Sequence, residues 1–542
     1  MRAPMDAVAT FLARSRIARR VEGRALVVAA RARGLRLDAA SRDPERVQRA
    51  TLGSLVGRAR DTAFGRAHGF DRIRDLETFR AHVPLRVYAE LTPWLERAAS
   101  GEPDVIWPGR IPYFGMSSGT TAGNKYLPIS MDAVRRQRRH GFDPVAAYLR
   151  WTGDTGLMHG VAIMLGGSSA LERRPSGVLV GDNTGVMARH VPRLLEPRYR
   201  PSARVRAIAD WDRKIDALVA ETALEDVRLI AGTPSWFPGL FDRLLEHVRR
   251  ARPEVASVRE VWPNLRLLTG GGINYEPYRP LVESRIGASV PYVDVYNATE
   301  GGIMGVQDRR DDRAMRLLPD NGVFYEFVPR EDVGLPNARR HALWEVVPGV
   351  TYAIYVSTPS GLFGYGIGDC IRFVETFPHR FVFEGRTAAF LNLTGEHVSQ
   401  GELERAMRTS ADALRLEVAD FCVIPEVGLA GGGARHVWLV EPASAPESLD
   451  LERFARLVDE DVLRRNGDYE AHRGSPLGLR APVVRLVPRG TFEAYMRARG
   501  KWGAQNKVPR VLDHPEHVSL LLRCAGLGGP AGERCGARSA PG

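Results

Sequence analysis

The chain has 542 residues, too many for one ordinary hydrophobic core, and its 44% hydrophobic content is enough to bury two or more. Its formal charge of +12, from 76 basic and 64 acidic side chains, suits an acidic ligand; the two signs are interspersed and no aromatic-interleaved basic strip appears, which argues for a solvated arginine-rich surface and against nucleic-acid binding. No apolar run approaches the ~20 residues that span a bilayer, no signal peptide is read at the N-terminus, and Cys370, Cys422, Cys524 and Cys535 show no zinc or disulfide spacing. The expectation is a cytoplasmic globular protein without membrane or nucleic-acid partners.

Residues 1 to about 100, rich in arginine and alanine, predict a helical scaffold. The apolar Ile111 to Phe114 then leads into Gly115-Met116-Ser117-Ser118-Gly119-Thr120-Thr121-Ala122-Gly123-Asn124-Lys125. Small and hydroxylated residues followed by a lysine offer backbone donors, hydroxyls and an ammonium to a phosphate. Only four lysines occur, Lys125, Lys214, Lys501 and Lys507, so a compact ammonium at Lys125 stands out from the arginine background. The loop is not a Walker P-loop: three residues, not four, separate Gly119 from Gly123, and Tyr126 follows the lysine. It does satisfy G-x-S-x-G, the nucleophile elbow of serine hydrolases with Ser117 as nucleophile. That motif needs a helix directly after the serine, whereas Tyr126 to Ile129 predicts a short extended segment.

From about 110 to 385, short β-rich runs at Val161 to Leu165, Leu265 to Leu268, Pro291 to Tyr296 and Tyr352 to Val356 alternate with helical stretches such as Trp211 to Thr222. The class is α/β. Thr269-Gly270-Gly271-Gly272 lets backbone approach a ligand closely where a strand ends. Tyr296-Asn297-Ala298-Thr299-Glu300 puts an aromatic face, a hydroxyl and a carboxylate at another strand end, where a base can stack on Tyr296 and Glu300 can hold Mg²⁺. Tyr365-Gly366-Ile367-Gly368-Asp369 presents a carboxylate on a glycine-bracketed turn, suited to two ribose hydroxyls. Gly385-Arg386 supplies a guanidinium in reach of a nucleotide where a hinge is expected. A smaller domain follows, with a helix at Gly401 to Arg408 and a strand at Phe421 to Ile424; near its end Lys507 lies among small and polar residues. The expected boundaries are 1–395, 396–525 and a disordered tail at 526–542. An acyl pocket is expected around Gly232 to Phe237 and Gly160 to Ser169, with Trp236 and Phe237 as ordinary core the alternative.

Taken together, the series resembles the acyl-adenylate-forming (firefly luciferase-like) superfamily, and within it the auxin-responsive acyl acid amido synthetase family. The three signature motifs of that family resemble Ser117 to Gly123, Tyr296 to Glu300 and Tyr365 to Asp369, and its C-terminal lysine segment resembles Gln505 to Arg510. The resemblance covers nearly the whole chain. It implies a large multi-layer N-terminal domain of β-sheets flanked by helices that binds ATP and the acid, a smaller mobile α/β C-terminal domain, and ATP- and Mg²⁺-dependent joining of a carboxylic acid to an amine, typically an amino acid. Ser117, Ser118, Gly119, Thr120, Thr121, Lys125, Gly271, Gly272, Tyr296, Thr299, Asp369 and Arg386 are then expected at the nucleotide, with Lys507, Glu300 and Thr121 catalytic and Glu300 the metal ligand. Departures are Gly366, where an arginine is usual, and Ala389 and Asn392, where the wider superfamily commonly has a hinge aspartate and a lysine. The closest alternative is an acyl-CoA ligase or stand-alone adenylating enzyme; the serine hydrolase is the alternative from another class.

Overall fold

The computed structural model describes residues 16–118, 124–272, 275–335, 337–387, 390–391, 396, 398–427, 434–446, 448–466, 469–470, 473, 479–502, 507–512 and 514–527, with the side chains of 16–19, 117, 118, 124, 277, 390 and 391 outside that description. Its contacts divide the chain into two compact units. The larger takes residues 1–273 and 285–382; the smaller takes 274–284 and 383–542. The glycine- and asparagine-rich stretch from which composition places a boundary at 395/396 follows the strand His379–Arg386, within which the packing changes over. The segment 274–284, whose membership composition does not reveal, packs with the smaller unit. From residue 528 onward the expected tail lies outside the described residues.

The larger unit opens with helices from Arg16 to Ala99, as the arginine- and alanine-rich composition predicts. Its main sheet is twelve strands wide. At one end Tyr292–Ala298, Leu267–Gly271, Val227–Ala231 and Val161–Met164 are successive parallel neighbours, joined by helices that include Trp236–Arg249. Toward the other end the pairing turns antiparallel, beginning with the hairpin Tyr292–Ala298 and Gly302–Gln307. A second, four-stranded sheet holds the hairpin Tyr113–Ser118 and Asn124–Ile129, with Leu179–Asp182 parallel to its first strand. Val27, Ala30 and Leu37 of the Arg16–Arg42 helix pack with Ala146 to Leu149 of the Asp143–Thr152 helix onto Leu229, Leu267 and Val293 of the main sheet.

In the smaller unit, alternation along two strands builds both halves of the core, because successive side chains of a strand point to opposite faces. Phe421, Val423, Trp438 and Val440 meet Leu403, Met407, Phe454 and Val458 on one face. Cys422, Ile424, Val437 and Leu439 meet Phe492, Tyr495 and Met496 on the other.

The arginines are not all surface residues, contrary to the simple composition argument. Arg316 and Arg380 are 3% and 4% exposed and share Asp308, with Arg316 also reaching Asp38 and Arg380 reaching Glu375. A guanidinium can be buried this way because its five donors fit several acceptors at once. Among the described residues no helix is long and apolar enough to cross a membrane.

Candidate functional site

Because the four strands at the parallel end of the main sheet run in one direction, their carboxyl ends share an edge. Leu165-Gly166-Gly167, Gly232-Thr233, Gly271-Gly272 and Thr299-Glu300 lie there. Ligands of such sheets bind in the crevice outside these ends. At Gly270 and Gly271 the close approach read from the sequence is made first by protein: a Cβ would stand 1.7 Å from the Gly232 carbonyl oxygen and 1.7 Å from that of Val295, respectively. The strand backbones therefore crowd together just before Gly272, which takes φ +87°.

Thr299 and Glu300 sit in the tight turn between Tyr292–Ala298 and Gly302–Gln307, and both are buried, 8% and 7% exposed. The first strand of the glycine hairpin packs on this turn: a Cβ on Gly115 would lie 2.7 Å from Cγ2 of Thr299. Two of the sequence motifs are thus brought together by sterics that only glycine satisfies. The third joins them by a hydrogen bond, since the Tyr296 hydroxyl donates to Oδ2 of Asp369 at 2.9 Å in the buried interior. The Tyr296 ring meets Phe381 edge to face, centroids 5.5 Å apart.

Asp369 does not occupy a turn, as its flanking glycines suggested. It lies inside the strand Tyr365–Thr376, where the pairing with Thr351–Ser357 slips between Ala353 and Tyr355 and Gly368 adopts φ +87°. The glycines serve a β-bulge, a device that re-aims a side chain within a strand. Cross-strand pairing on both sides of the slip outweighs the local turn preference.

Lys125 is in register with Ser117 across the hairpin, its ammonium 5.7 Å from the centre of the Tyr88 ring. Gly119, Thr120 and Thr121, and the side chains of Ser117 and Ser118, lie outside the described residues. The strands flanking them pair antiparallel from Ser118 and Asn124 outward, so a strand follows the loop and the strand-to-helix turn of a hydrolase elbow is not formed. Phe237 is fully buried in the helix Trp236–Arg249 and belongs to the core, while Trp236 packs on Trp211 at 4.8 Å. Arg386 and Lys507 belong to the smaller unit, and the other predicted residues fall in the sequence of the larger. Ala389 and Asn392 are outside the described residues.

One pair escaped the sequence reading. Asp182 is the register partner of Met116, at the end of the strand beside the glycine hairpin. Lys214 projects from the helix Trp211–Thr222, is 3% exposed, and donates to the Gly166 carbonyl at 3.2 Å. Burial pushes the Asp182 carboxyl up and the Lys214 ammonium down to about 8, each opposed by attraction to the other. The clue was available: the scarcity of lysine that marks Lys125 marks Lys214 equally. Lys214 releases its proton in the fold well below its ordinary 10.5, so between about pH 8 and 10 the unfolded chain binds the extra proton and rising pH favours folding. Urea midpoints at pH 7.5 and 9.5 should show the wild type gaining stability relative to Lys214→Met as pH rises. A gap that does not change with pH would refute a buried ammonium here.

The GH3 family N-terminal domain matches residues 35–217, its central domain 316–386 and its C-terminal domain 401–516, together more than half of the chain. Indole-3-acetic acid-amido synthetase GH3.3 of Arabidopsis thaliana is 23% identical over 89% of this chain and 91% of its own length. Indole-3-acetic acid-amido synthetase GH3.8 of Oryza sativa subsp. indica is 24% identical over 90% and 91%. Among solved structures, the GH3.15 acyl acid amido synthetase superposes with a TM-score of 0.73 at 18% identity, covering 88% of this chain and 93% of that one. A 2-hydroxyisobutyryl-CoA ligase in the postadenylation state gives 0.57 at 16% identity, covering 90% and 93%. These structural likenesses establish a shared α/β fold.

Proposed function

The chain belongs to the GH3 family, and from that membership we propose that it is an ATP-dependent acyl acid amido synthetase, which adenylates a carboxylic acid and transfers the acyl group to an amine, most naturally an amino acid. The observation that carries this proposal is the Tyr296–Asp369 hydrogen bond at 2.9 Å. It ties two of the three signature motifs together beside a sheet edge suited to a nucleotide, in a chain whose relatives are named amido synthetases over nine-tenths of their length. The cytoplasm, where ATP and amino acids are at hand, is the compartment we assign to it.

A carboxylate and an amine at neutral pH form a salt, and amide formation from them would have to expel oxide; activation must come first. A carboxylate oxygen of the acid attacks the α-phosphorus of ATP, the α–β phosphoanhydride bond breaks, and pyrophosphate leaves. The loop Ser117 to Thr121, with Thr121 among its hydroxyls, and Lys125 supply donors to the phosphate oxygens. Asp369 accepts from the ribose, and its hydrogen bond from Tyr296 holds the carboxylate in place. Arg386 contacts the nucleotide, and the Lys507 ammonium offsets the repulsion between the approaching carboxylate and the phosphate. The neutral amine then attacks the acyl carbonyl carbon, AMP departs with the electrons of the acyl–oxygen bond, and the nitrogen gives up a proton to water.

Glu300 is the candidate Mg²⁺ ligand. No group of three or more acidic, histidine or cysteine side chains among the described residues forms a metal cage, and a single buried carboxylate suits an ion that takes its other oxygens from phosphates and water. Bound there, Mg²⁺ would neutralise charge on the phosphates.

The test is ATP consumption by purified protein with Mg²⁺, a panel of aromatic and aliphatic carboxylic acids and pooled amino acids. Acid-dependent AMP and pyrophosphate with an amide detected by mass spectrometry is the expected result. AMP that forms only on adding coenzyme A would instead favour an acyl-CoA ligase, the alternative kept open by the fold shared with one. Absence of both AMP formation and nucleotide binding would sink adenylation altogether.

A further inference from the structure

Lys507 stands three residues before Arg510, a buried and heavily engaged arginine of the smaller unit. The Arg510 side chain is 4% exposed; its Nε donates to Glu404, its Nη1 to Asp420 and to the Phe421 carbonyl, and its Nη2 to the Tyr278 hydroxyl at 2.7 Å. The guanidinium also lies over the Phe421 ring, 4.4 Å from its centre. The Tyr278 hydroxyl in turn donates to Oδ1 of Asp420 at 3.2 Å, closing a ring of three side chains. Burial holds that phenol far above its ordinary titration range, so it remains a donor. Around Arg510 the backbone is fixed as well: Val423 N–H donates to the Arg510 carbonyl at 2.8 Å and Leu512 N–H to that of Val423 at 3.0 Å. Val511 thereby pairs in parallel with Val423, adding a short edge to the three-stranded sheet.

Tyr278 is the unexpected member. It comes from the segment 274–284, which follows Gly270-Gly271-Gly272 in the chain yet packs with the smaller unit. Tyr278 is 3% exposed, and its hydroxyl completes the hydrogen-bonding of Arg510. We propose that Tyr278 and Arg510 are positioning residues that set the backbone leading to Lys507, so that the chain following the glycine-rich strand end helps aim the lysine used in adenylation. This rests on the assignment of Lys507 above. It adds a task for Tyr278, which acts through its hydrogen bonds with Arg510 and Asp420.

The experiment compares Tyr278→Phe, Lys507→Ala and the double variant in the full-length protein, measuring AMP formation with ATP, Mg²⁺ and the mixed acid panel. Tyr278→Phe should lower the adenylation kcat about tenfold, the share of one hydrogen bond to a charged group, and leave KM for ATP unchanged. It should cost nothing further in the Lys507→Ala background, an outcome that a general structural defect would not give. Slow Lys507→Ala with normal Tyr278→Phe overturns the positioning role alone, as does an equal loss in both backgrounds. Normal Lys507→Ala, or a wild type that forms no AMP from any acid, removes the parent assignment and the positioning role with it. Should Tyr278→Phe fail to fold, Asp420→Asn interrupts the same ring and is judged by the same three readouts.

Discussion

Replacing Lys507 with alanine should lower acid-dependent AMP formation by about 10²-fold or more, the usual loss when one preorganised charge-stabilising donor is removed. Two anions must approach within bonding distance for the carboxylate to reach phosphorus, and in a water-poor site an ammonium is the simplest means of offsetting their repulsion. The loss should fall on the first half-reaction. Supplied with a chemically prepared acyl-adenylate, the variant should therefore form amide at a rate near that of the wild type. Rapid AMP formation by Lys507→Ala would withdraw the catalytic role, and an equal loss in both half-reactions would show that the lysine serves the fold or both chemistries alike.

A comparable loss, about 10²-fold at fixed low Mg²⁺, is expected for Glu300→Gln. The amide is nearly the shape of the carboxylate, so the packing of the turn against Gly115 is preserved, but one negative ligand is lost. Because phosphates supply the remaining protein-independent ligands, raising Mg²⁺ should recover part of the activity, and the half-saturating Mg²⁺ concentration should move upward. A variant that is slow yet saturates at the wild-type Mg²⁺ concentration would show that Glu300 acts through something other than the metal.

Segments dominated by their own pattern were legible in the sequence. The helix Trp211–Thr222 forms over the very residues expected, and strands at Val161, Pro291 and Tyr352 appear within a residue or so of where β-branched and aromatic runs place them. The candidate site motifs stood out because small residues, hydroxyls and lone carboxylates are chemically distinctive at strand ends. What escaped notice depends on partners distant in the chain. Gly368 reads locally as a turn and is a bulge only because Thr351–Ser357 pairs on both sides of it. Tyr296 reads as a stacking platform, but its hydroxyl is directed to Asp369 by a contact no local pattern encodes. Arg316 and Arg380 read as surface charge until Asp308, shared between them, is placed. Lys214 was visible as a rare residue, but its task depends on Gly166 and Asp182, each on a different strand end.

The division of the chain has a practical consequence for anyone exchanging parts between relatives. A single cut near residue 383 would transfer most of the smaller unit but leave Tyr278 behind on the recipient, so the incoming Arg510 would meet whatever the recipient carries at that position. The two pieces should therefore be exchanged as a matched set, one at 274–284 and one from 383 onward. Gene fusions or swaps made at the obvious single junction should yield folded but catalytically slow hybrids, and restoring the donor's own 274–284 segment is the direct remedy.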